Sequence, residues 1–440
     1  MAQSPAAPGT TPLERSGSFS VKTLMVEVTA GPDAGLRVEA PEDRLTVGTA
    51  RANHLVLSDP TVSRFHLELS NEKAGIWVRD LGSRNGTLAA EVLIECARIP
   101  VGTELLVGRS RLRVYDGAER KVDGHDAPVL VDLLGDDRSM RRLMGTIRRV
   151  ASTSLPCLIT GESGTGKELL ARALHAQSDR AARPFVVVDC GALTPSVMAS
   201  ALFGHERGAF TGAEQRRAGA FERAHGGTLL LDDVGELSLE LQPQLLGVLE
   251  RKRFVALGGS QEQEADVRVI AATSRDLRGE VNRGAFREDL YHRLAVVTLG
   301  VPALRDRMAD LPLLAEHFFR EAGGSQPFDT VFKPAVLEQM ARHGWPGNVR
   351  ELRNFVEAMV VMGELPQQTT VSPSSLGLAL PGELLEKSYA AARAEVLNAF
   401  EQRYLSHLLA GTHGNVSGAA RRASMDRSYL IKLLEKHALK

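Results

Sequence analysis

Apolar and polar positions change rhythm several times along this chain. From Val21 to Tyr115, short apolar runs (LMVEVTA, RLTVG, HLVLS, FHLELS, GIWVRDL, ELLVG, RLRVYD) are separated by turn residues at close intervals. Short strands at that spacing predict an all-β sandwich. GAERKVDGHDAP, residues 117–128, is polar and rich in breakers, which predicts a linker. From Val131 to Gly300, the apolar runs PCLITG, PFVVVDC, GTLLLDDV and VRVIAATS alternate with helical patterns. That alternation predicts a parallel sheet with crossover helices. Residues 301–363 read as helical and predict a small lid subdomain. LPQQTTVSPSSLGLALPG, residues 365–382, predicts a second linker, and the chain from Glu383 reads as helical with a break at AGTHGN. The expected fold class is multidomain: an all-β sandwich, an α/β domain with a helical lid, and an all-α C-terminal unit.

Composition adds limits rather than direction. A length of 440 residues suggests about three domains. The apolar share of 43% and charged share of 24% are ordinary for globular chains. A formal net charge of -1 means that a nucleic-acid or membrane partner has to be met by a local patch. Cys96, Cys157 and Cys190 are far apart, without metal-type spacing, and predict reduced thiols. The first twenty residues lack an apolar leader core, and no run approaches ~18 apolar residues. The expectation is a cytoplasmic chain with no membrane partner.

GESGTGKE, residues 161–168, follows the strand PCLIT and precedes the helical LLARALH. This is a phosphate-binding loop in strand–loop–helix context. Gly161, Gly164 and Gly166 let N–H groups of the segment Gly161, Glu162, Ser163, Gly164, Thr165 and Gly166 curl around phosphate oxygens, and Lys167 reaches the β- and γ-phosphates. Glu168 stands where Ser or Thr usually holds magnesium. In GGTLLLDDVGE, Asp232 and Asp233 fall at a strand's C-terminal end. There Asp232 holds Mg²⁺, directly or through water, and Asp233 orients the attacking water. The expected cofactors are ATP and Mg²⁺.

GHERGAFTGAEQRRAGAF, residues 204–221, sets Phe210 in a polar, glycine-containing loop, where neither a buried strand nor a helix fits. Together with GESGTGKELLARALH, LFGHERGAFTGA, GGTLLLDD, VRVIAATSRDL, FREDLYHRL and WPGNVRELRN, it gives the stretch from Leu133 to Gly363 its resemblance. The segment resembles the AAA+ domain of bacterial sigma-54-dependent transcription activators, also called enhancer-binding proteins. The resemblance implies that Gly208, Ala209, Phe210, Thr211, Gly212 and Ala213 contact sigma-54 in the promoter-bound polymerase. It implies that Thr273 and Ser274 sense the γ-phosphate, and that Arg350 projects from the lid toward nucleotide. Arg287 and Arg293 look like arginine fingers donated to the next subunit, so hydrolysis requires a ring, by resemblance a hexamer or heptamer built from dimers. Trp345 and Pro346 are expected to pack and to end a helix. Two positions depart from the family. Asp233 stands where Glu is usual, and Asp189 where Asn is usual, so a pair that restrains hydrolysis becomes two carboxylates that repel. Hydrolysis is then slow, differently regulated or unaffected.

VSRFH (62–66) and LGSRNGT (81–87), with Gly48 and NHLVLSD, resemble a forkhead-associated (FHA) domain, a sandwich whose loops bind phosphothreonine. Ser63, Arg64, Arg84 and Asn85 match the family's phosphate-binding positions. Thr49 replaces the arginine expected after the first glycine, so Arg51, Arg64 or Arg84 compensates or affinity is weak. GNVSGAARRASMDRSYLIKLLEKHAL, residues 414–439, reads as helix, turn, helix, with Asn415 or Ser417 and Asp426 as caps. Residues 411–440 carry six Lys/Arg against two acids, suited to DNA phosphates. The pattern resembles a Fis-type helix-turn-helix that places Arg427, Ser428, Tyr429 and Lys432 in the major groove.

The expected domains are a disordered tail (1–20), an FHA domain (21–118), a linker (119–131), an AAA+ α/β subdomain (132–300), its helical lid (301–364), a linker (365–383) and a DNA-binding domain (384–440). The expected partners are sigma-54 RNA polymerase holoenzyme, upstream enhancer DNA, a phosphothreonine protein such as a Ser/Thr kinase, and further copies of this chain. Two rivals remain: a DNA-bound regulator with a slow or degenerate ATPase acting by occupancy, favoured by Asp189 and Asp233, and a phosphopeptide-docked remodelling ATPase with another client.

Overall fold

The computed structural model describes residues 18–362, apart from positions 41, 73, 74, 126, 193 and 325, together with isolated positions between 398 and 437. The chain divides into two compact units, Met1–Pro366 and Gln367–Lys440. In the second unit Leu405, Leu430 and Leu434 are buried. Arg427, Ser428, Tyr429 and Lys432, together with Asn415, Ser417 and Asp426, lie outside the described residues.

The first unit begins with a β-sandwich. Strands Arg37–Glu39, Ser18–Ala30, Ser110–Asp123, Glu104–Val107, Thr87–Ala89 and Val92–Ile94 lie side by side in that order. The second sheet holds Leu55–Val56, Arg44–Gly48, Leu67–Glu72, Gly75–Asp80 and Cys96–Ile99. Alternation turns Leu24, Val26, Val28, Leu112 and Val114 of one sheet onto Leu45, Val47, Leu67, Leu69 and Val78 of the other. The two long strands pair from Ala30↔Arg111 out to Ser18↔Asp123. Pairing therefore runs past Tyr115 into residues whose polarity predicted a linker. Two polar segments satisfy each other's backbone groups across a ribbon, which composition within either segment does not reveal.

The α/β domain carries five parallel strands: β1 (Cys157–Thr160), β2 (Phe185–Asp189), β3 (Thr228–Asp232), β4 (Arg268–Thr273) and β5 (Val297–Gly300), in the order β2-β3-β4-β1-β5. β4 is buried at every residue and β3 at all but its last, as strands covered on both faces should be. Helix α1 (Arg138–Ala151) starts at Asp137, whose carboxylate accepts from the Ser139 N–H at 2.9 Å. Its C-terminal end is tied to the sheet by the buried Arg268, which donates to the Ala151 and Val150 carbonyls at 2.8 and 3.0 Å. Helix α2 (Lys167–Ala176) follows β1.

The lid is helical, with Phe319, Phe332, Trp345, Leu352 and Val356 in one core. Trp345 is fully buried and donates from Nε1 to the Met340 carbonyl at 2.9 Å, so it packs as expected. Ala50, Phe65 and Leu81 of the sandwich do not join the sandwich core; they are buried in the α/β domain's core.

Arg268→Ala would orphan two helix-end carbonyls and empty a buried volume. It is expected to cost about 2–4 kcal/mol, from the usual penalty for unpaired buried acceptors. Urea unfolding of the two proteins measures this, and an unchanged midpoint would show that Arg268 does not hold the helix.

Candidate nucleotide site and the sandwich loops

The register of the parallel sheet puts chemistry at one edge. Thr160 stands opposite Thr273, and Asp189 opposite Asp232, all at strand C-terminal ends. This is the edge at which open α/β sheets bind ligands. Between β1 and α2, the phosphate loop turns through Gly164 at φ 77° and Gly166 at φ 101°. A Cβ at Gly164 would stand 2.3 Å from the Gly347 carbonyl, so the lid's approach as well as the φ requires glycine. Gly166 caps α2 with no side-chain hydrogen bond, leaving the helix start open to an anion.

The Lys167 ammonium is held by carbonyls alone, donating to Gly161 at 3.0 Å and Glu162 at 3.2 Å. Burial lowers its pKa, opposed by the nearby carboxylates of Asp233 and Asp232. The Asp232 carboxyl is pushed up by burial; the hydrogen bond from the Asp233 N–H and the charge of Lys167 oppose the rise, and the charges of Asp233 and Asp189 add to it. Asp233 adopts the left-handed region at φ 47°, strained for a residue with a Cβ. Its carboxylate accepts from the Ser274 hydroxyl at 3.4 Å and its N–H donates to Asp232 at 3.0 Å. Thr273 is buried and its hydroxyl accepts from the Arg275 N–H. Asp189 accepts from the Gly191 N–H at 2.8 Å. The Cys190 thiol beside it is raised to about 12 by burial and by the three aspartates.

Arg350 reaches the loop from the lid, donating to the Ser163 hydroxyl at 3.2 Å. Glu168 does not face the loop; it is exposed and pairs with Arg172 one turn later at 2.7 Å. Arg287 and Arg293 keep local partners. Arg287 pairs with Asp289 at 2.7 Å, and Arg293 donates to the Leu249 carbonyl at 2.9 Å. These partners are not part of the phosphate loop.

Three lid-to-loop ties escaped the sequence reading. Arg305 pairs with Glu162, the buried Arg307 donates to the Thr165 carbonyl at 3.0 Å, and Asn348 donates to Glu162 and the Ser163 carbonyl at 3.1 and 3.0 Å. The doublet Arg305/Arg307 directly after β5 was the available signal.

The residues fit a magnesium nucleotide. An open helix start and a lysine held only by carbonyls suit phosphates, and Asp232 supplies a hard oxygen ligand. Among the described residues no cluster of three His, Cys, Asp or Glu is placed to hold a metal alone.

In the Gly208–Ala213 loop, Phe210 is 47% exposed, and its ring meets His205 edge-on with centroids 5.0 Å apart. Gly208 and Gly212 take left-handed backbone at φ 81° and 96°, and Gly208 N–H donates to the Ala213 carbonyl at 2.8 Å. Thr211 is exposed and Ala213 is buried. Ala209 sits against Gly258.

The sandwich loops bring Ser63, Arg64, Arg84 and Asn85 to one end. The Ser63 hydroxyl accepts from the Arg84 N–H at 3.0 Å, and Asn85 donates to the Thr61 carbonyl at 2.7 Å. Arg84 and Asn85 are exposed. The Arg64 guanidinium instead meets the Val281 carbonyl and Glu288 of the α/β domain. Thr49 contributes its N–H to the Ser63 carbonyl at 3.1 Å.

Comparison with known proteins fits this geometry. Residues 133–300 match the sigma-54 interaction domain, residues 305–393 the AAA+ ATPase lid domain, and residues 27–118 the cytoplasmic domain of the inner membrane component of T3SS. The chain is 44% identical over 301 residues to the transcriptional regulatory protein GlrR of Escherichia coli (strain K12), covering 68% of this chain and 66% of GlrR, just under two thirds of that relative's length. It is 43% identical over 308 residues to the transcriptional regulatory protein ZraR of Klebsiella oxytoca, covering 69% and 68%. The crystal structure of NtrX from Brucella abortus in complex with ADP superposes with a TM-score of 0.52 at 38% identity, over 69% of this chain and 68% of that one. The ATP complex gives 0.50 at 38% identity, over 70% and 69%. Among the described residues no helix is long and apolar enough to cross a membrane. The chain belongs to the family of transcriptional regulators built on an AAA+ sigma-54 interaction domain.

Proposed function

We propose that this protein is an ATP-driven activator of sigma-54 RNA polymerase that remodels the closed promoter complex. The observation that carries the reading is Phe210: an exposed ring on a loop of left-handed glycines, attached to a nucleotide-type α/β core. Lys167 and the loop amides hold the nucleotide phosphates. Asp232 would hold Mg²⁺, which when bound neutralises charge on the phosphates. Asp233, fixed by Ser274, orients the attacking water, and Thr273 and Ser274 lie where the γ-phosphate is sensed. Arg350 reports nucleotide to the lid. Arg287 and Arg293 serve the neighbouring subunit, which accords with local partners that leave them outside their own phosphate loop. Work passes to Gly208–Ala213, which grips sigma-54.

The C-terminal segment is read as a Fis-type helix-turn-helix on upstream DNA, and the cellular setting as the cytoplasm. The sandwich is read as an FHA domain that takes a phosphothreonine protein through Ser63, Arg64, Arg84 and Asn85. A second reading, a docking domain with no phosphate dependence, draws on Thr49 and on the match of residues 27–118 to a different family. Binding of a phosphothreonine peptide and its unphosphorylated form separates them, since equal affinities leave only the second.

Three outcomes are expected. Lys167→Ala abolishes ATP turnover, whereas Arg287→Ala keeps nucleotide binding and loses turnover, and wild-type turnover per subunit rises with protein concentration. Concentration-independent hydrolysis by a monomer would refute action between subunits. Phe210→Ala keeps ATPase activity and melting temperature but fails to open a sigma-54 promoter; were the ring a core element, truncation would cost about 3–5 kcal/mol and take hydrolysis with it.

The third outcome concerns pH. Because burial raises the Asp232 carboxyl above its unfolded value, the stability it contributes is complete below the unfolded pKa and is lost as pH rises through the native one. Nucleotide-free Asp232→Asn should therefore melt above wild type at pH 7, and the gap should close below about pH 4, where aspartates are protonated. A constant gap across pH would show that ionisation of Asp232 is not the cause.

A further inference from the structure

The end of the sandwich that carries the phosphate-binding positions is not free. Phe65, between Arg64 and His66, is only 1% exposed, and it is buried in the core of the α/β domain rather than that of the sandwich. Its ring meets Tyr291 edge-on at 5.2 Å between centroids. Tyr291 lies on helix α4 (Glu288–Leu294), and helix α3 (Leu277–Arg283) precedes it. Asn282 on α3 brackets the same loop: it accepts from the Phe65 N–H at 3.3 Å and donates to the Phe65 and Leu81 carbonyls. Arg64 itself donates to the Val281 carbonyl and pairs with Glu288 at 3.4 Å. Behind this edge, Glu68 pairs with Arg278 at 2.7 Å, and Arg142 pairs with Asp43 at 2.7 Å. A segment this apolar and this completely bonded is a fitted interface.

The α3–α4 segment is also where Arg287 sits. Arg64 and Arg287 line one cleft of about 490 Å³, together with Phe286, Glu288, Asp289 and His292. A nucleotide on a neighbouring subunit that needs Arg287 would have to enter a space that the sandwich already walls.

We propose that the Arg64–Phe65 edge has two mutually exclusive occupants: the α3–α4 segment of its own ATPase domain, and the phosphothreonine peptide that the FHA reading assigns to it. The inference rests on that reading and adds its regulation. Arg84 and Asn85 remain exposed and give the peptide a foothold. A phosphate dianion makes stronger charge-assisted bonds to a guanidinium than a carbonyl and one carboxylate do. Seated on Arg64, it would lie against Glu288 and Asp289, and like-charge repulsion separates the two surfaces. Arg287 is itself exposed, so what peptide binding removes is the sandwich, through Arg64, from the cleft beside it, and docking restrains the ring.

The test uses the full chain and positions outside both sites. Glu68→Arg breaks the pair with Arg278, and Asn282→Ala loosens the Phe65 loop independently. The probe is a peptide pool with central phosphothreonine and degenerate flanks, set against the same pool with threonine. Docking reduces apparent affinity by the free fraction. Glu68→Arg and Asn282→Ala should therefore bind the phosphopeptide about tenfold more tightly than wild type, and saturating phosphopeptide should raise wild-type turnover at low protein concentration to that of Glu68→Arg. Phosphopeptide-specific binding of equal strength in all forms overturns the competition while leaving the FHA reading intact. Binding by none of them overturns the FHA reading, and the competition with it.

Discussion

Three carboxylates and one lysine share the C-terminal edge of a parallel sheet, and the site is built around that crowding. Asp189 is fixed opposite Asp232 by strand pairing, and Asp233 follows immediately. Burial disfavours charge on Asp232 and the charges of Asp233 and Asp189 add to that, while the Asp233 N–H and Lys167 offset part of it. A protein that needed only stability would place an amide or an apolar residue there. On the proposed reading, a ligand that brings positive charge of its own completes the site. Strain in the backbone of Asp233 points the same way, since a left-handed aspartate is held only where the surrounding structure insists on it.

The lid depends on the same edge. Arg305, Arg307, Asn348 and Arg350 all fasten to the phosphate loop, through Glu162, the Thr165 and Ser163 carbonyls and the Ser163 hydroxyl. Any change in how phosphates engage the loop is therefore felt in the lid. Toward the other side, the Gly208–Ala213 loop is anchored at its base by His205, whose ring bonds Ser200 at 2.7 Å and meets Phe210. The base is buried and fixed while the tip is exposed and glycine-hinged. That division suits a loop that has to move as a unit.

Much of this was legible in the sequence because it depends on local rules. The phosphate loop follows from glycines between a strand and a helix, and the aspartates from their place after LLL. The short apolar runs of the sandwich marked where its strands lie. What was not legible depends on partners distant in sequence. The ribbon of residues 117–123 reads as linker until its partner strand is known. Phe65 reads as one more strand-adjacent apolar residue, yet its surroundings come from residues more than two hundred positions away. Glu168, where the motif usually carries Ser or Thr, pairs with an i,i+4 arginine, a contact that the local spacing does allow one to expect.

The two family departures take on meaning beside the docked sandwich. An asparagine side chain can donate a hydrogen bond to a carboxylate; an aspartate in its place has no N–H to donate. Each is satisfied separately here, Asp189 by the Gly191 N–H and Asp233 by the Ser274 hydroxyl. Were hydrolysis restrained through that pair, as the resemblance implies, the restraint would lack the asparagine's hydrogen bond here. If this chain still keeps its engine in check, the check has to act elsewhere. The contact of Arg64, Phe65 and Asn282 lies beside Arg287, the group that the proposed function gives to a neighbouring subunit. On the proposed reading, control has moved from the water-orienting carboxylate to access to the arginine.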